Sequence, residues 1–91
     1  MDIKPGDIVY SRAGRDKNKP FVVTDTVDEQ FVLLADGALR KLIKPKKKKV
    51  KHIKPTGNSF PEIAERLMSG GRVTNNELKK ALGEFADGTD A

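Results

Sequence analysis

The chain contains no cysteine, no tryptophan and a single histidine, His52, among its 91 residues. Without thiols there can be neither disulfide staples nor a thiolate metal site, and one imidazole is a poor start for a zinc centre. Aromatic residues are also scarce: Tyr10, Phe21, Phe31, Phe60 and Phe85 are the whole set. With Phe21 and Phe31 expected in the core, too few remain for an aromatic cage or a proline-binding groove, and reading of bases by stacking is disfavoured. Long apolar runs are missing as well. Met1 to Pro5 (MDIKP) has no signal core and no stretch is long enough to span a bilayer, so the expectation is a cytoplasmic protein with no membrane contact. At this length, with 36% apolar and 34% charged residues, the chain is one small domain, or a small domain with an appendage, around a modest core.

One further absence is local. The fifteen residues from Arg40 to Lys54 (RKLIKPKKKKVKHIK) hold nine lysines and arginines and no acid. Such a block repels itself and stays extended and solvated until counter-charges arrive, and each lysine that replaces a condensed cation on a phosphate backbone gains counterion-release entropy. Nucleic acid is the partner this predicts. A merely solubilising run is the plain alternative, but Leu39, Leu42, Val50 and Ile53 punctuate the segment and anchor it to a folded body. Charge is divided along the chain. Fourteen Lys and Arg face seven acids from Met1 to Pro55, whereas four face six from Thr56 to Ala91, which together give the net charge of +5. Only the first part is suited to face a polyanion.

The hydrophobic period changes at the same place. Asp7 to Ser11, Pro20 to Val27 and Gln30 to Ala35 are short, rich in β-branched and aromatic residues, and bounded by Gly, Asp, Asn and Pro, as strands are. Asp28 and Glu29 fit a tight hairpin, Asp36 and Gly37 a turn into a short strand over Ala38 to Leu42, and Val50 to Ile53 a closing strand. Five short strands in so few residues suit a small bent barrel, because closure removes exposed edges. After Pro55 the period is helical. Ser59 with Glu62 reads as a capping box, Pro61 suits a first turn, and Phe60, Ile63, Ala64, Leu67 and Met68 share a face until Gly70 and Gly71. Thr74 with Glu77 opens a second helix whose stripe is Leu78, Ala81, Leu82 and Phe85. The fold class is thus mostly β with C-terminal α: a five-stranded barrel over 1–57, a two-helix hairpin appendage over 58–86 and a flexible tail over 87–91. The apolar stripes must pack on each other, on the barrel or on a partner.

Catalysis has little to stand on. His52, between Lys51 and Ile53, suits a solvated or phosphate-contacting side chain better than a general base, and the carboxylates Asp25, Asp28 and Glu29 are hairpin residues without a cleft. Gly6, Gly14 and Gly37 are isolated and do not form a phosphate loop. No enzyme, metal or cofactor is expected. The loop Arg12 to Pro20 (RAGRDKNKP) is more telling. Gly14 and Asn18, which adopt positive φ most easily, alternate there with cations, so main-chain N–H groups can approach a sugar–phosphate surface while the flanking side chains clamp phosphates. The candidate contacts are Arg12, Gly14, Arg15, Lys17 and Lys19 from the loop. From the basic run they are Arg40, Lys41, Lys44, Lys46, Lys47, Lys48, Lys49 and Lys51.

Lys4 to Val23 (KPGDIVYSRAGRDKNKPFVV) resembles a KOW motif: a glycine before an apolar strand, a basic turn with an internal glycine, and a second apolar strand. Continuing through Val32 to Asp36 (VLLAD) and Ile53 to Thr56 (IKPT), it is similar to the KOW domain of the large-subunit ribosomal protein family called fourteen-e and its smaller bacterial relatives. The resemblance covers about sixty percent of the chain, from its start, and does not extend to the helices. It implies an SH3-like barrel that binds structured ribosomal RNA through the first hairpin loop, with Gly14, Arg15, Lys17 and Lys19 facing the RNA; Asn18 stands where these motifs usually have glycine. The reading is a non-catalytic, ribosome-associated RNA-binding module, monomeric off the ribosome. Two alternatives stay open: a transcription-related SH3-like module, and an adaptor whose helical hairpin recruits a protein.

Overall fold

The computed structural model describes residues 3–88. Five strands come first: β1 (Asp7–Ser11), β2 (Pro20–Thr26), β3 (Phe31–Ala35), β4 (Lys46–Lys49) and β5 (Ile53–Ser59), with a 3-10 turn at Val50–His52 between the last two. Two helices follow, α1 (Pro61–Ser69) and α2 (Asn75–Gly88). The strands form one antiparallel sheet in the order β4-β3-β2-β1-β5. Irregularities between Asp7 and Val9 and between Val23 and Asp25 bend it. The 3-10 turn bridges its two sides, because Val50 N donates to Gln30 O and His52 O accepts from Arg12 N. This is a small, mostly β domain of SH3-like form followed by two helices.

Both faces of the central three strands are buried, which explains why β1, β2 and β3 read as nearly continuous apolar runs. Alternation sends Val9, Phe21, Val23, Val32, Leu34 and Ile53 to the concave interior. It sends Ile8, Val22 and Ala35 to the outer face, where Ile63 of α1 and Leu78 and Leu82 of α2 cover them. The helical stripes therefore close the outer face of the sheet. The helices meet antiparallel at their ends: Arg66 pairs with Glu77 at 2.7 Å, and Phe60 meets Phe85 edge-on, with centroids 6.5 Å apart. No described helix is long and apolar enough to cross a membrane.

Several expectations need correction. Ala38 to Leu42 is a loop. The Asp36 carboxylate accepts from Ala38 N and Arg40 N at 2.9 and 2.8 Å, so the chain curls, and Leu42 N is then taken by the Asn75 side chain. The edge strand falls instead on Lys46–Lys49, whose four identical residues carry no hydrophobic period; lysine is well suited to an edge it must protect from further pairing. Val50–His52 is a 3-10 turn, and strand begins only at Ile53. Ser59 ends β5, and the residue capping α1 is Phe60, with no side-chain cap. Thr74 does cap the start of α2, its Oγ1 accepting from Glu77 N at 3.1 Å. Asp87 and Gly88, expected in the tail, lie in α2; residues 89–91 of that tail are outside the described residues. Phe31 is half-buried at the start of β3, and the interior cluster forms without it.

Candidate nucleic-acid interface

The loop between β1 and β2 is folded on itself. Ser11 N donates to Lys19 O, Asn18 N to Ser11 O, and Lys17 N to Gly14 O, with Gly14 at φ 80° and Asn18 at φ 68°. Asparagine thus supplies the left-handed conformation for which the motif usually uses glycine, as its short polar side chain allows. These turns expose Arg12, Arg15, Lys17 and Lys19. The one acid of the loop does the opposite: Asp16 is only 7% exposed and its Oδ2 accepts from Arg40 Nη2 at 3.2 Å. Turning the sole carboxylate inward leaves the loop's outer surface with cations and no acid.

Strand β4 reaches the same loop. Lys48 Nζ donates to Ala13 O at 3.1 Å, and it is also the nearest atom to the open side of Gly14. Pairing with β3 then divides the four lysines, since Lys46 and Lys48 lie opposite Leu34 and Val32 while Lys47 and Lys49 lie opposite Leu33 and Phe31. Lys47 Nζ sits 4.6 Å from the centroid of Phe31, a cation–π contact that occupies this aromatic face. The lysine run is therefore two rows on opposite faces of an edge strand.

The thirteen candidate residues form three groups. Arg12, Gly14, Arg15, Lys17 and Lys19 share the first loop, with Lys48 beside it. Arg12 also joins Lys49 and Lys51 around a cleft of about 470 Å³ that includes Glu29. Arg40, Lys41, Lys44, Lys46 and Lys47 line another of about 580 Å³, which no carboxylate enters. Arg40 stands apart, because its guanidinium is committed to Asp16. Among the described residues the only ion pairs are this one and Arg66–Glu77, so the other candidate cations have no carboxylate partner there. His52 is half-buried in the 3-10 turn and contributes a carbonyl to the barrel. Sequence reading missed Asp16 as the loop's internal anchor, although a lone acid among four cations was the available signal. It also missed Phe31 as a seat for Lys47, because the register of β4 is invisible in a lysine repeat.

Fold and loop together define a small SH3-like β domain with a cationic first hairpin. No family model matches the chain. It is similar to Large ribosomal subunit protein eL14 of Desulfurococcus amylolyticus, with 29% identity over 82 residues, which is 90% of this chain and 78% of that protein. A match of that length cannot fit ahead of the helices, so the resemblance extends beyond the KOW motif into the helical part.

Proposed function

We propose that the chain is a non-catalytic RNA-binding module that associates with ribosomal RNA, and hence with cytoplasmic ribosomes. The observation that carries this reading is the convergence at the Lys48–Ala13 contact: a positive-φ loop whose acid is turned inward meets a lysine edge strand. The exposed Gly14 backbone and the cations without carboxylate partners at that junction suit phosphates. Similarity to a large-subunit ribosomal protein supports the same partner. Arg15, Lys17, Lys19 and the lysines of β4 are the proposed phosphate contacts, Gly14 the point of backbone approach, and Arg40 the residue that holds the loop through Asp16. With few aromatics free, the module reads the shape and phosphates of folded RNA.

Co-sedimentation with ribosomal subunits and titration of deproteinised ribosomal RNA across a salt series test this. If about six lysines engage phosphates, log affinity falls with log salt at a slope of about −4 to −5. A slope near zero would remove the electrostatic basis. The adaptor alternative is weakened by the helices' own packing, since Ile63, Leu78 and Leu82 are spent on the sheet.

A further inference from the structure

Between β3 and β4 the chain makes a tight turn in which Lys44 N donates to Lys41 O at 3.0 Å. Its two central residues face opposite ways. Leu42 packs against the outer core cluster and its N–H is held by Asn75 Oδ1 at 2.8 Å, whereas Ile43 is 92% exposed. Leu39, 63% exposed, lines the same acid-free cleft. The exposure of Ile43 is thus fixed by an anchored turn, with a lysine on either side of an aliphatic apex.

We propose that this turn is a second RNA contact, in which Ile43 packs on the face of an unpaired base while Lys41 and Lys44 take the phosphates beside it. The inference rests on the RNA-binding reading above. Charge selects a polyanion, and the apolar apex selects a feature that paired RNA hides, because bases are reachable only where they are splayed out of the helix. Two aliphatic side chains are too little for a membrane surface or for the row of anchors by which a peptide helix binds. A cleft of about 580 Å³ lies within the range of small-ligand sites and has room for one nucleotide.

The test uses the full chain, deproteinised ribosomal RNA and a fully paired RNA duplex as probes. Ile43→Ala is expected to lower affinity for ribosomal RNA about tenfold, leave the salt slope unchanged and leave duplex affinity unchanged. Lys41→Gln with Lys44→Gln is expected to make the ribosomal RNA slope shallower by about two. The proposal is overturned if Ile43→Ala binds ribosomal RNA as the parent does, or if it loses affinity equally on the duplex. Binding to phosphatidylserine vesicles that Ile43→Ala abolishes, with RNA affinity intact, would overturn it in favour of a membrane surface. If the parent binds neither RNA, the RNA-binding reading falls first and this contact falls with it.

Discussion

Gly14 and Gly37 share a φ of 80° but stand in opposite surroundings, and the contrast separates the part of this molecule that is built from the part that is offered. Gly37 is buried, and a Cβ there would collide with the Asn75 carbonyl oxygen and come within 3.0 Å of Lys79 N. At Gly14 the nearest atom is the flexible Lys48 Nζ, 3.7 Å away. Gly37 lets the loop after β3 dock on the start of α2, and Gly14 leaves a backbone bare beside a cluster of cations. The same local conformation is thus a packing device in one loop and an open surface in the other. What distinguishes them is the neighbour, which for Gly37 is the backbone of α2 and for Gly14 the end of one flexible side chain.

The largest effect expected from this division comes from removing the helices. A chain ending at Gly57 loses Ile63, Leu78 and Leu82 and exposes Ile8, Val22 and Ala35. At about 1.5–3 kcal/mol for each large apolar side chain, the loss rivals the whole stability of a small domain, about 5–15 kcal/mol. Thermal unfolding followed by circular dichroism should show no cooperative transition. A cooperative melt with full RNA affinity would instead make the helices a separable appendage. Gly37→Ala is next. Strain at positive φ together with backbone overlap at α2 should cost about 3 kcal/mol or more, seen as a fall in melting temperature, while the molecules that remain folded keep their RNA affinity.

The positions of β1, β2 and β3 were legible because their alternation and bounding turns are strong local signals, and the first loop was legible from its glycine, asparagine and cations. The later half of the sheet was not. Four lysines give no period, so β4 is specified by its partner β3, and the loop at Ala38 to Leu42 is specified by Asp36 and Asn75, polar contacts that hydrophobic patterning does not register. Both stripes of the helices were readable, but which surface they cover was fixed by the outward residues Ile8, Val22 and Ala35, each hidden inside an apolar run. The basic residues were easy to find. Their grouping was not, since it depends on strand register and on the inward turn of Asp16.

Gly14→Val sharpens the comparison from the other side. With open space around it, the substitution should cost only about 1 kcal/mol of stability, chiefly through φ, against the larger loss expected at Gly37. RNA affinity should fall by more than that figure implies, about tenfold or beyond, because the branched side chain stands where the backbone meets phosphate. Melting and RNA titration on one preparation check this together. Unchanged affinity in the folded variant would reduce the loop to an ordinary turn.

The smallest net effect is expected at Asp16→Asn, where two consequences oppose each other. Losing the carboxylate removes the ion pair that ties the first loop to Arg40, which is partly exposed, so the stability cost should be about 1 kcal/mol or less. The loop then holds its shape less well, which lowers affinity. At the same time a negative charge leaves the interface and the Arg40 guanidinium becomes free to meet a phosphate, which raises it. Affinity at moderate salt should therefore change by less than about threefold, whereas the slope of log affinity against log salt should steepen by about one, the signature of one more neutralised phosphate. Adding Arg40→Gln to Asp16→Asn should return the slope to the parent value. A slope that Asp16→Asn leaves unchanged would mean that Arg40 lies out of reach of RNA whatever its partner, and that the pair serves the loop's shape alone.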